Sequence, residues 1–272
     1  MISGADRFKN PEERLKAGTM ESSRLKLDRA WEHLTSLEDE VEAFLKREPY
    51  EFDWRFDGNL RIMYIFVTPT EELPVKWAIV LGDILHNLNS ALDHLVCSLA
   101  RLSDSEDDCT ATEFPVFTGR AGFEGKKERA LRGVPEEAQG IIEELQPFNS
   151  GEDPTMHVLE VLRRFYNIDK HRRLHLVVGN LREAHYTPTH PDVVPIRMHA
   201  GPIRGRTELA AFHAPPHVED IQRIDTDVSF DVVIDEPIGP EDFQTPNIST
   251  GMRSIHRWIS TKVLPRFERF FA

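Results

Sequence analysis

PVKWAIVLGDILHNLNSALDHLVCSLA, residues 74–100, is the stretch whose reading decides the fold. Ile84, Leu85, Leu88, Ala91, Leu92, Leu95, Val96 and Leu99 recur at spacings of three and four, which predicts one long helix from Pro74 to about Ala100 with a broad apolar face. Pro74 stands where a missing N–H costs least. The other face holds Asp83, His86, Asn87, Asn89, Ser90, Asp93 and His94, and no Lys, Arg or Glu occurs between Lys76 and Arg101. A solvated helix face normally uses those three residues for propensity and for pairing one turn apart. Asn, Ser, Asp and His are middling helix formers. Their concentration here points to a protected polar surface: a cleft, a dimer interface or a buried hydrogen-bond network. Gly82 within the helix costs about 1 kcal/mol relative to Ala and marks a close backbone approach.

Working outward, Leu27, Ala30, Leu34, Leu37, Val41 and Phe44 predict an earlier amphipathic helix from Thr19, stopped by Glu48-Pro49. Residues 1–18 are polar and read as a loose leader or short helix. Phe52, Trp54 and Phe56 alternate, as do Leu60, Ile62, Tyr64 and Phe66, with Asp57-Gly58 between the runs. That pattern predicts a hairpin whose glycine takes the positive φ of a primed turn. Residues 103–125 read as an acidic connection containing Phe114-Pro115-Val116-Phe117. Short helices are expected at Pro135–Leu145 and Thr155–Asp169, and strands at Leu174–Val178, Val193–His199, Thr207–His213 and Val228–Ile234. A last helix starts near Ile248, with Met252, Ile255, Ile259 and Val263 on one face and Pro265 bending or ending it. The expected architecture is α+β: a single domain over 19–272, built as a bundle of three or four long helices with an inserted antiparallel sheet.

The net charge of −13 disfavours a surface that coats nucleic acid non-specifically, although a local basic site is compatible with it. No run of 18 apolar residues is present, and the first residues lack the basic-then-apolar pattern of a secretory signal. Cys97 and Cys109 are the only cysteines, which indicates neither a disulfide framework nor a thiolate zinc site. The expected setting is a reducing cytoplasm, with no membrane partner.

A second cluster is Asn167-Ile168-Asp169-Lys170-His171-Arg172-Arg173. Val158, Leu162 and Phe165 define an apolar face on the preceding helix, and Asp169 falls on that face one turn later. A carboxylate aimed at a core needs a partner. His94, His86 or an arginine of a neighbouring helix are the candidates, and a His–Asp pair would fix the imidazole tautomer. Arg163, Arg164, Lys170, Arg172 and Arg173 form the densest cationic stretch, able either to hold a phosphate-bearing ligand or to serve as a solvated face.

Asn87-Leu88-Asn89-Ser90-Ala91-Leu92-Asp93-His94-Leu95 and Asn167-Ile168-Asp169-Lys170-His171 resemble two segments of an uncharacterised group of bacterial proteins. Thr112–Phe117 and Ile141–Pro147 add to that resemblance, which covers roughly 75–180 and implies no activity. The Arg-x4-His spacing of that group is in turn similar to the motif of HEPN domains. These are small helical bundles, often dimeric, many of them metal-independent ribonucleases. This similarity implies that His94 is the catalytic histidine and that the chain binds RNA or a nucleotide, as a homodimer. The arginine position is occupied by Asn89, which has no charge or bidentate fork for a phosphorane. Arg172 or Arg173 would then have to supply the cation.

The candidate catalytic residues are therefore His94, Asp93, Asp169 and His86, and the candidate ligand-binding residues are Asn87, Asn89, Ser90, Lys170, His171, Arg172 and Arg173. A metal centre of His86, Asp93 and His94 with Asp169 or His171 is weighed and set aside, since no His-Glu-x-x-His pair appears. His185, His190, His199, His213 and His217 lie among Pro-rich loops and strands and read as surface residues. No Walker or dinucleotide glycine loop and no Gly-x-Ser-x-Gly elbow occurs, so no cofactor is expected. The competing reading is a non-catalytic interaction module whose polar helix face mates with its own copy or with a partner.

Overall fold

The structure is a computed structural model that describes residues 19–103, 109–199, 201–218, 224–236 and 247–272. The leader expected over 1–18 lies outside these residues. The fold is α+β. The expected bundle of three or four long helices with one inserted sheet is corrected: only two helices are long, the described residues contain four shorter ones, and the strands form two antiparallel sheets.

The long helices are α1 (Glu21–Leu45) and α2 (Lys76–Ala100), each of 25 residues. They run antiparallel: Ser98 donates to the Thr19 carbonyl at 2.7 Å, Lys26 to Asn87 at 3.2 Å, and the Trp77 indole to Glu40 at 2.8 Å. Leu27, Ala30, Leu34, Leu37 and Phe44 bury the α1 stripe against Leu81, Leu85, Leu88, Leu92, Leu95 and Leu99 of α2. Each leucine or phenylalanine withdrawn from water contributes about 1.5–3 kcal/mol, so this seam anchors the helical half.

Around the pair lie α3 (Arg120–Ala130), α4 (Glu136–Glu144), α5 (Val158–His171) and α6 (Ile248–Trp258). The sequence pattern did not reveal α3, because it holds two glycines and buries only Phe123 and Ala130. Beyond α6 the chain widens into a π turn and then tightens into a short 3-10 turn containing Pro265.

Strand β1 (Tyr50–Asp57) pairs with β2 (Ile62–Pro69), as the hairpin reading expects. Its turn is built differently. The Asp57 carboxylate accepts the N–H groups of Asn59 and Leu60, both at 3.0 Å, and the positive φ falls on Arg61 rather than on Gly58. The inward phase of β2 also differs, since Met63, Ile65 and Val67 face the core opposite Phe56, Trp54 and Phe52. Tyr64 and Phe66 take the other face, beneath the guanidinium groups of Arg55 and Arg206 at 5.0 and 3.5 Å from the ring centres.

The remaining strands are β3 (Leu176–Pro188), β4 (Val194–Met198), β5 (Thr207–His213) and β6 (Ile224–Ile234). One sheet has the order β1-β2-β5-β4, and β3 pairs with β6 in the other. The two sheets close on each other through Val67, Leu209, Val178, Val228 and Phe230. Strand β6 is shared between halves: Val228 and Phe230 fill the sandwich, while Val232 and Ile234 enter the helical core.

Cys97 and Cys109 form a disulfide with Cα atoms 5.4 Å apart, where the sequence indicated no disulfide framework. It ties the end of α2 to the segment leading to Phe114. No helix among the described residues is long and apolar enough to cross a membrane.

Candidate functional site

The polar face of α2 divides into two rows. The first, Gly82, His86, Asn89 and Asp93, lies toward α5. At Gly82 a Cβ would sit 2.6 Å from both carboxylate oxygens of Asp169, so the carboxylate rests on the α2 backbone where glycine leaves room. The two expectations, a close approach at Gly82 and an inward Asp169, meet at one contact. Burial and the nearby Asp83 carboxylate push the Asp169 pKa up, and the His86 imidazole opposes them.

His86 is exposed at its edge, yet both ring nitrogens have neighbours: Nδ1 is 3.1 Å from the Tyr166 hydroxyl and Nε2 is 3.4 Å from Ser90 Oγ. Lys170 Nζ lies 4.0 Å from the centre of the Tyr166 ring. Asp93 accepts the Phe114 amide N–H at 2.9 Å and the Asn89 side-chain amide at 2.8 Å. Burial nonetheless pushes its pKa up to about 6; Glu113 adds to the rise, while the Phe114 amide, Lys170 and Asn89 moderate it.

The second row, Asn87, Ser90 and His94, lies toward α1. Asn87 donates to the Asp83 carbonyl at 2.8 Å and accepts from Lys26. His94 is half-buried and its Nδ1 is enclosed without a hydrogen-bond partner. Burial first, then Lys26, His86 and Arg101, hold its pKa below the ordinary histidine value, which favours the neutral ring.

The structure sorts the candidate partners of Asp169. Among the described residues no hydrogen bond joins His94 to Asp169, and His86 is the imidazole beside that carboxylate. Asn89, in the place of the motif's arginine, orients Asp93. Arg172 is committed elsewhere, in a two-pronged ion pair with Glu236 at 2.7 and 2.6 Å. Burial works to raise the Glu236 pKa, but Arg172 and the His175 amide together hold it below its ordinary value. Arg163 is paired with Glu160 in the same two-pronged way. Lys170, His171 and Arg173 are exposed. The cations that influence His94 are Lys26 and Arg101, neither of which the sequence reading assigned to the site.

Tyr166, Lys26 and the Phe114 amide were also missed. Tyr166 precedes Asp169 by one helical turn and was within reach of periodicity. Lys26 is 61 positions from its partner Asn87, and only the helix pairing reveals it. The donors weighed for a metal on α2 do not gather. Among the described residues the three-residue group with convergent donors is His190, Asp192 and His217, two of which read as scattered surface histidines in the sequence. No protein-family model, curated protein or solved structure matches this chain.

Proposed function

We propose that this chain is a non-catalytic interaction module that docks a partner surface, its own copy included, on the outer stripe of α2. The observation that carries the reading is the exposure of Val75 and Ile79, at 60% and 57%, on the stripe that continues through Asp83 and His86. These four lie at helical spacings of four, four and three, and form one ridge. Val75 and Ile79 form an apolar pair bordered by polar Asp83 and His86, the kind of rimmed apolar surface that supports docking. Most of the remaining polar face is spent on internal hydrogen bonds, which hold α2, α5 and the Phe114 segment together. The test is light scattering together with partner capture on the Val75→Asp/Ile79→Asp variant. Loss of association with an unchanged circular dichroism spectrum is expected; association equal to the unmodified chain removes the reading.

A second reading rests on His94. A neutral imidazole with an uncommitted Nδ1, influenced by two cations and close to Asn87 and Ser90 along the helix, suits proton transfer near an anionic ligand such as RNA or a nucleotide. Chelator-resistant RNA cleavage that disappears in His94→Ala is expected on this reading. Absence of cleavage by the unmodified chain, or equal cleavage by the variant, removes it.

The Cys97–Cys109 bond favours an oxidising setting over the reducing cytoplasm expected from the sequence, because structural disulfides persist where thiols are not kept reduced. Alkylation of thiols at the moment of cell lysis distinguishes the two settings.

A further inference from the structure

The chain crosses between the two sheets twice at the same end of the sandwich. β3 ends at Pro188 and passes to Val194 of β4, and β5 ends at His213 and returns to Ile224 of β6. Register pairs Pro188 with Ile224 and Val194 with His213. The first crossing carries His190-Pro191-Asp192 and the second Pro215-Pro216-His217. Asp192 Oδ2 lies 2.7 Å from His217 Nε2 and 3.9 Å from His190 Nδ1, and the two imidazole rings are 5.7 Å apart. One donor atom from each of the three side chains falls within 4.8 Å of the others.

The backbone behind these side chains is tightly held. The Val193 N–H donates to the His190 carbonyl at 3.1 Å, and the Val218 N–H to the Pro215 carbonyl at 3.0 Å. Arg61 donates to the carbonyls of Ala214 at 3.1 Å and Pro215 at 2.9 Å, and also to that of Val218. Val193 and Val218 are buried with Phe212 and Ile224, which anchors both crossings in one apolar cluster. The donors thus stand on fixed supports at the protein surface.

We propose that His190, Asp192 and His217 bind a divalent transition ion of the zinc class, which staples the two crossings together. Two imidazoles and one carboxylate match the ligand preference of zinc, cobalt and nickel. Metal–ligand bonds of about 2.1 Å place tetrahedral donors about 3.4 Å apart. Side-chain rotations of roughly an ångström reach that spacing from the present one. The Asp192 amide, 3.2 Å from His190 Nδ1, gives up this bond if that nitrogen becomes the ligand. Water completes the coordination, and the ion stabilises the fold by binding the native state only.

The test titrates the full chain, free of any affinity tag, with zinc chloride by calorimetry and follows thermal unfolding with and without the ion. One ion per chain and a raised Tm are expected, with cobalt chloride giving visible absorption bands of a tetrahedral site. His217→Ala and Asp192→Ala are each expected to weaken binding more than tenfold and abolish the Tm shift. His175→Ala, which alters an exposed histidine elsewhere, is expected to change neither. Unchanged melting of the variants without zinc shows that they fold. No stoichiometric binding by the unmodified chain, or equal binding by both site variants, overturns the proposal.

Discussion

The polar face of α2 and the loop end of the sandwich both gather histidines and carboxylates, but they use them differently. On α2 the groups are close in sequence, and most are consumed by internal contacts: Asp93 with Phe114 and Asn89, His86 with Tyr166 and Ser90, Asn87 with Lys26. At the loop end a third group arrives from 25 positions away to join a close pair, all three are open to solvent at least in part, and they converge on one another. A dense run of polar residues on a mostly buried helix is therefore as much a structural device as a site. Buried polar atoms have to be paired, and residues one turn apart are the nearest available partners.

That difference can be broken or sharpened by substitution. The largest effect is expected at Asp93. Its folded pKa of about 6 lies above the ordinary 3.8, so the native state holds the proton more tightly than the unfolded chain. The sign follows: the stabilising contribution is complete below about pH 4 and is lost as pH rises through about 6, an amount of about 2–3 kcal/mol. Asp93→Asn is expected to flatten this slope, as urea midpoints measured between pH 4 and 7 would record. An unchanged slope would mean that Asp93 is not a buried structural acid.

Next is Glu236, which is 4% exposed and accepts both the Arg172 guanidinium and the His175 amide at 3.0 Å. Glu236→Ala leaves that amide unpaired where α5 hands over to β3, and a loss of about 2 kcal/mol is expected in chemical denaturation. Gly82→Ala is expected to cost about 1 kcal/mol, the net of crowding Asp169 and a gain in helix propensity. Asp169→Ala in the same chain should reverse that loss, and the non-additivity of the double-mutant cycle reads the contact directly. The smallest effect is expected at the loop end. In metal-free buffer His217→Ala should change stability by less than about 0.5 kcal/mol, because its 2.7 Å pair with Asp192 is exposed to solvent. A larger loss would place that triad among the structural groups.

Much of the helical half was legible in the residues. The period of Leu27 to Phe44 and of Ile84 to Leu99 marks α1, α2 and their buried faces, because a helix repeats its environment every three to four residues. Gly82 and Asp169 could each be flagged alone, since a helix-interior glycine and an inward carboxylate both demand a partner. Other features were illegible. The inward phase of β2 was misread because apolar residues occupy both of its faces, and guanidinium groups from elsewhere cover Tyr64 and Phe66. Helix α3 left little periodic trace.

The sequence by itself determined the α+β class, the two long helices and the unusual polar composition of α2, since these depend on local periodicity and residue chemistry. Only the tertiary structure decided that there are two sheets, that Asp169 lies against Gly82 beside His86 rather than His94, and that Lys26 reaches Asn87. It alone brought His217 to Asp192, across 25 positions. The physical reason is that periodicity reports which face of an element is buried but carries no record of what covers it. Partners across long separations are chosen by how the elements pack.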